Sequence, residues 1–258
     1  MTVPRIAVTA PAGPEGAPFV VLGPSLGTST ILWEDVVPAL AADYRVVAWD
    51  LPGHGASPVA DEPFTVGELA DAVAEHIREW GGRALYAGVS LGGAVGLELC
   101  LRHPELVDRA AIVASGAQLG DPAAWHERAA QARTQSTSSL IVGSAQRWFA
   151  PDSIARRPEL TGRLLHALQD ADDDSYARCC EALAAYDVRG RIAEIGLPVL
   201  AAWGEHDAVA PEAKALEIAE GVRDGRAVRI DGAAHLPPAE QREATARLLQ
   251  EFFEGTSR

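Results

Sequence analysis

The sequence predicts an α/β fold: a mostly parallel sheet with helices on both faces and a helical cap inserted between two of its strands. Three observations carry that prediction. Short continuous apolar runs alternate with helix-periodic segments, as expected for parallel strands buried on both faces. About eighty residues separate the run near Val113 from the run near Val199, where a helical crossover needs only a dozen or so. Finally, Gly88-Val89-Ser90-Leu91-Gly92 joins a strand-like run to a helix-like one, which marks a tight, functionally loaded turn.

In chain order, Arg5 to Ala10 reads as an edge strand and Pro11 to Pro18 as a Gly- and Pro-rich turn. Phe19-Val20-Val21-Leu22 and Arg45 to Trp49 are continuous apolar strands. Thr65 opens a helix with Glu68 three residues on, a capping box. Val66, Leu69, Ala70, Val73, Ile77 and Trp80 follow at helical spacing, and Gly81-Gly82 closes the element. Ala84 to Val89 is the next strand, and the helix after Ser90 must stop at His103-Pro104. Ala110 to Ala114, Pro198 to Trp203 and Ala227 to Ile230 supply later strands, and Leu248, Leu249, Phe252 and Phe253 mark a closing helix. Residues 120–189 are rich in Ala, Gln, Arg and Leu and poor in β-branched apolar sequence. They are assigned to the cap, with helices near 122–135, 137–149, 153–168 and 173–187; residues 1–119 and 190–258 form the core.

At 258 residues, the chain is long enough to bury a large core. Its net charge of −14 excludes nucleic acid and anionic membranes as expected partners, because both would repel it. The N-terminus lacks the charged and apolar regions of a secretory signal, and no run approaches 18 apolar residues. Three cysteines, Cys100, Cys179 and Cys180, make no disulfide framework, and the adjacent pair reads as buried thiols. The expected location is the cytoplasm. Asp170, Asp172, Asp173 and Asp174 precede a helix and read as a solvated cluster favoured by its N-terminus, so no metal site is expected.

The chemistry centres on Ser90. Glycines two residues before and after it match the G-x-S-x-G elbow, in which a strained turn lifts the hydroxyl clear of the sheet. A serine hydroxyl is a poor nucleophile until an imidazole takes its proton, and a carboxylate orients that imidazole. Asp207, just past the strand ending at Trp203, and His235, just past the strand ending at Ile230, follow Ser90 in the order this arrangement demands. Glu205 and Asp231 are the rival acids; Asp231 is better placed to shape its own turn, and Asp207 is chosen. His76 and His166 fall within helices, and His103 and His126 read as surface residues. His54, in a Gly-rich turn, reads as a positioning residue. An oxyanion needs two preorganised N–H donors. Leu91 supplies one, and Leu26, in the loop Gly23 to Thr28, is assigned the other.

With these residues in view, the chain resembles the α/β-hydrolase superfamily and, within it, the 3-oxoadipate enol-lactonase family. The resemblance rests on Pro24-Ser25-Leu26-Gly27-Thr28 with Trp33, Trp49-Asp50-Leu51-Pro52-Gly53-His54-Gly55-Ala56-Ser57, Gly88 to Gly93, Arg147-Trp148-Phe149, and Cys179 to Leu183 leading to Asp187-Val188-Arg189. The chain departs from the family pattern at Pro24 and at Pro237-Pro238. The resemblance implies an eight-stranded, mostly parallel sheet and a reaction without cofactor or metal, in which water opens an enol-lactone to 3-oxoadipate in aromatic catabolism. That substrate is a small anionic lactone or ester, so a cation is expected over the pocket. Arg133 and Arg147 are the candidates, Arg133 being preferred, with Trp148 as a pocket wall. A general carboxylesterase or a cofactor-free haloperoxidase-like hydrolase is the alternative activity, and a non-catalytic ligand-binding protein on the same fold is the non-enzymatic one.

Overall fold

Six parallel strands form one sheet in the computed structural model, which describes residues 3–255. They are β1 (Phe19–Gly23), β2 (Arg45–Ala48), β3 (Ala84–Val89), β4 (Val107–Val113), β5 (Pro198–Gly204) and β6 (Asp224–Ile230), in the spatial order β2-β1-β3-β4-β5-β6. Val21 pairs with Val47 on one side and Tyr86 on the other, and Ile112 pairs with Ala201. The central strand β3 is buried at every position, which explains why it reads as a continuous apolar run rather than an alternating one. The chain leaves β1 toward β2 and then returns to build β3 on its other side. The order therefore reverses between β1 and β3, and a crevice opens beyond the C-terminal ends of these two strands.

The described residues contain six strands rather than the eight that the resemblance implies. The segment Arg5 to Ala10 is one of the differences. Val8 makes an isolated antiparallel bridge to Trp49, and Ala12 one to Val46. Prolines at 4, 11, 14 and 18 remove backbone donors along this stretch, so it lies against β2 without extending the sheet.

Helices cover both faces. A short α1 (Val37–Leu40) precedes β2. Then α2 (Val66–Glu79) starts at the Thr65 capping box, with the Glu68 amide bonded to Thr65 Oγ1 at 3.1 Å and the Thr65 amide to Glu68 Oε2 at 2.8 Å. α3 (Leu91–Arg102) follows Ser90 directly, and it ends where Pro104 forbids a further turn. Between β4 and β5 the chain is helical almost throughout: α4 (Pro122–Gln135), α5 (Ile141–Trp148), α6 (Ser153–Arg156), α7 (Pro158–Asp170) and α8 (Asp173–Ala184). α4 starts at Asp121, whose carboxylate caps the Ala123 and Ala124 amides, and it packs along α8. Asp172 caps α8 in the same way. Cys179 and Cys180 lie fully buried as free thiols. α9 (Glu212–Gly221), α10 (Pro237–Glu240) and α11 (Arg242–Phe253) complete the fold, the last packing Phe252 and Phe253 into the core. No helix among the described residues is long and apolar enough to cross a membrane.

Candidate active site

Ser90 stands at φ 56°, ψ −114°, a conformation that side chains disfavour and that only surrounding bonds can hold. Those bonds are present. Its amide donates to the Val113 carbonyl at 2.9 Å, and its carbonyl accepts from the Ala94 amide at 2.9 Å and from Ser115 Oγ at 2.7 Å. The turn also requires Gly88, since a Cβ there would stand 2.2 Å from the Gly92 carbonyl oxygen. The strain is thus imposed by strand, helix and the neighbouring strand end together.

The structure brings Asp207 and His235 into contact behind this turn. His235 Nδ1 lies 3.0 Å from Asp207 Oδ2 and 3.2 Å from Oδ1. A carboxylate only accepts, so Nδ1 is the protonated nitrogen and Nε2 is left as a base. Both residues are almost wholly buried. Burial alone would raise the Asp207 carboxyl; the adjacent His235 and the Val209 and Ala210 amides outweigh it and hold the group below its ordinary value. The rival acids are engaged elsewhere: Glu205 accepts from the Gly232 amide at 3.0 Å, and Asp231 pairs with Arg229 at 2.7 Å.

The His235 loop is held from two directions. Its amide donates to the Trp148 carbonyl at 3.1 Å. Glu240, one turn farther on, accepts from the Ala234 amide at 2.8 Å and the Leu236 amide at 3.4 Å with Oε2. With Oε1 it accepts from the Ala150 amide at 2.6 Å and Ser153 Oγ at 2.8 Å. One carboxylate therefore ties the histidine loop to the segment joining α5 and α6.

Ser25 to Thr28 form a turn closed by the Thr28 amide on the Ser25 carbonyl at 3.0 Å, with Gly27 at φ 81°, the value the third residue of a type II turn needs. The Pro24 carbonyl accepts from the Gly92 amide at 2.9 Å, fastening this loop to the start of α3. A backbone carbonyl makes that bond whatever the side chain, so proline at 24 leaves it intact. Among the described residues neither the Leu26 nor the Leu91 amide has an acceptor, and Leu26 lines the cavity with Ser90.

That cavity has a volume of about 300 Å³. Ser25, Leu26, Ser90 and His235 form its floor; its other lining residues include Asp121, the cap of α4, Trp125, Glu127, Arg128 and Gln131 of α4, Arg147 and Trp148 of α5 and Tyr176 of α8. Trp148 and Arg147 line this cavity, and Arg133, the preferred candidate, does not. It forms ion pairs with Asp174 at 2.9 Å and with Glu181, away from the cavity. At 100° per residue, a position five beyond Arg128 lies about 140° around the helix, which turns Arg133 to another face. Arg128 takes its place in the cavity: Nε donates to Tyr176 Oη at 2.7 Å and a terminal nitrogen to Ser144 Oγ at 2.9 Å. Arg147 has no hydrogen-bond or ion-pair partner among the described residues. Burial, and then the nearby Arg128 charge, lower its pKa; the pocket lining thus carries two arginines, with the Asp121 and Glu127 carboxylates on the same lining. Sequence reasoning missed Arg128, although its phase with Trp125 and Gln131 was a usable signal; nothing local in the sequence marks Tyr176 or Glu240.

A family model of the alpha/beta hydrolase fold matches residues 18–241. The chain is 31% identical to 3-oxoadipate enol-lactonase 2 of Acinetobacter baylyi over 90% of its own length and 87% of the relative's. It is 32% identical to a pimeloyl-[acyl-carrier protein] methyl ester esterase of Neisseria meningitidis, over 94% of this chain and 96% of that one. The crystal structure of an enol-lactonase from Burkholderia xenovorans superposes with a TM-score of 0.92, at 31% identity and 96% coverage of both chains.

Proposed function

We propose a specific reaction for this protein, which belongs to the alpha/beta hydrolase fold family: the opening of 3-oxoadipate enol-lactone by water to give 3-oxoadipate, a step of aromatic catabolism. One observation carries the reading. A serine on a strained elbow and the histidine of a buried Asp–His pair share a small cavity with two arginines, one of them without a partner among the described residues. Ester chemistry on the floor and anion recognition on the walls suit a lactone that bears a free carboxylate. The similarity to enol-lactonases over most of the chain supports the same choice.

The residues divide the work as follows. His235 Nε2 takes the Ser90 proton as Oγ attacks the lactone carbonyl. The amides of Leu26 and Leu91 stabilise the charge that develops on the carbonyl oxygen. Collapse breaks the ring C–O bond, the enol oxygen receives the proton from His235, and the enol becomes a ketone. The product stays attached to Ser90 as an acyl ester. Water then attacks that ester, giving its proton to His235, and Ser90 leaves with it as 3-oxoadipate departs. Arg147 and Arg128 receive the substrate carboxylate, each charge-assisted bond contributing about 1.5–3 kcal/mol, and Trp148 forms a wall beside the ring.

The similarity to pimeloyl methyl ester esterases favours a second reading, an esterase acting on an open-chain methyl ester. Comparing kcat/KM for the enol-lactone, a pimeloyl methyl ester and a p-nitrophenyl ester separates the two. The enol-lactone is expected to lead by at least about a hundredfold, the scale of about 2.7 kcal/mol of differential transition-state binding. A lead for the methyl ester would replace the lactonase reading, and turnover of none of them would leave a binding protein.

A further inference from the structure

His54 is buried, lies outside the Ser90–His235–Asp207 set, and sits in contact with the loop that carries Leu26. Its two ring nitrogens face partners of opposite kind. Nδ1 lies 2.9 Å from the Pro52 carbonyl oxygen, which only accepts, so Nδ1 carries a proton. Nε2 lies 3.3 Å from the Gly27 amide nitrogen, which only donates, so Nε2 must be bare. The surroundings therefore fix both the charge and the tautomer: a neutral, Nδ1-protonated imidazole. Burial pushes the ring down to about 4, against opposing contributions from the Pro52 carbonyl and Asp172, which agrees with that assignment.

We propose that His54 is a positioning residue for the oxyanion-stabilising loop: by accepting from the Gly27 amide it fixes the peptide that follows Leu26, and through the Leu26 backbone it steadies the neighbouring Leu26 N–H. The proposal rests on the serine-hydrolase reading given above. The turn Ser25–Thr28 uses its own closing bond between its first and last residues, which leaves the middle peptide free to rotate. His54 is the acceptor that the middle peptide finds. The other side of the ring stacks on Tyr176, centroids 5.9 Å apart and 28° between planes, and Tyr176 Oη accepts from Arg128. A side chain of the anion-binding wall is thereby braced against the residue that steadies the oxyanion loop.

Two variants separate acceptor from shape. His54→Phe keeps a flat ring against Tyr176 and removes the acceptor; His54→Gln keeps an acceptor and removes the ring. His54→Phe is expected to lower kcat roughly tenfold to a hundredfold, short of the loss of a whole oxyanion donor, with KM changed less than about threefold. Binding of a boronic acid that forms an adduct with Ser90 should weaken by the same factor, whereas binding of the carboxylate product should not. His54→Gln is expected to recover most of the loss. A purely structural role predicts the reverse order, Phe mild and Gln damaging, or equal losses in both ligands' affinity, and either result overturns the proposal. The wild-type protein supplies an independent measurement that no folding defect can spoil. Nitrogen-15 spectra of the histidines at pH 7 should include, besides the ring of His235, a second ring protonated at Nδ1 that vanishes in the His54 variants; if the signal lost in those variants is of a ring protonated at Nε2, the argument ends. If the wild type hydrolyses no ester at all, the hydrolase reading itself fails, an outcome distinct from normal turnover with unchanged variants.

Discussion

The floor and the roof of the cavity are built on different principles. On the floor, Ser90, His235 and the Leu26 loop are held through bonds to their main chain, and Asp207 is fixed by two amides of its own turn. Each sits just past the end of a strand, so the sheet sets their separation. On the roof, Arg128 and Arg147 reach the space at the ends of long side chains from α4 and α5, and Arg147 has no bond to hold it among the described residues. The floor is preorganised, and on the proposed reaction a change of one atom there would disturb charge that appears only in the transition state. The roof is less constrained at Arg147 than at Arg128, which Tyr176 and Ser144 hold, and on the proposed reaction changes there would alter which molecule is held. The contrast teaches that rate and selectivity in this protein are separable in principle, with Tyr176 and His54 as a bridge between them.

The strongest test of the division is Ser90→Ala. It should remove the reaction, a fall of about 10⁴–10⁶ in kcat, with folding unchanged because the hydroxyl contributes little packing; a variant keeping a few per cent of activity would remove Ser90 from the floor. Next is Asp207→Asn, expected to cost about 10⁴ in kcat by allowing the wrong His235 tautomer while leaving KM nearly unchanged. Should Asp231→Asn prove the damaging change instead, the carboxylate has been misassigned.

A third test reads the floor through stability. Above pH 6.5 both the folded and unfolded chains keep His54 neutral. Between pH 6.5 and about 4 the unfolded chain binds a proton at this residue and the folded chain does not, so stability falls as pH falls. The loss should reach about 3 kcal/mol at pH 4 and then level off for this group. Asp207, held below its ordinary value, continues the decline at lower pH. Urea unfolding across this range should show a shallower slope in His54→Gln; an identical slope would assign the proton to another site.

The roof is tested by Arg147→Ala, expected to lower kcat/KM for the anionic lactone roughly tenfold to a hundredfold and to leave a neutral ester of similar size almost unchanged. Equal losses on both would make Arg147 a structural residue. Smallest of all should be Arg133→Ala. Its ion pairs are partly exposed, so about 1 kcal/mol or less of stability is expected, with kcat/KM within about twofold. A substrate-selective loss at Arg133 would return it to the cavity.

Much of the floor is legible in the sequence because strands translate order along the chain into position in space. Ser90, Asp207 and His235 each follow an apolar run, and a parallel sheet brings the ends of such runs to one edge. The helical insertion has no such rule. Which way an arginine points depends on the rotational phase of its helix and on the helix beside it, and Arg133 differs from Arg128 by about 140° of rotation. The strand count was overestimated for a related reason: Arg5 to Ala10 has strand-like composition, but prolines deprive its neighbourhood of the donors a ladder needs. Glu240 escaped notice because its four partners come from segments up to 90 residues away.

That carboxylate has a consequence for recombination between relatives. All its accepting capacity is divided between donors on the histidine loop and donors at Ala150 and Ser153. A chimera that imports residues 120–189 from another parent imports half of this knot and must match the other half, or it leaves a carboxylate oxygen without donors beside the His235 loop. Crossovers that keep 149–153 with the parent that supplies residues 232–240 preserve it. The transferable unit for new selectivity is therefore α4 with the first part of α5, shorter than the insertion that the chain topology outlines.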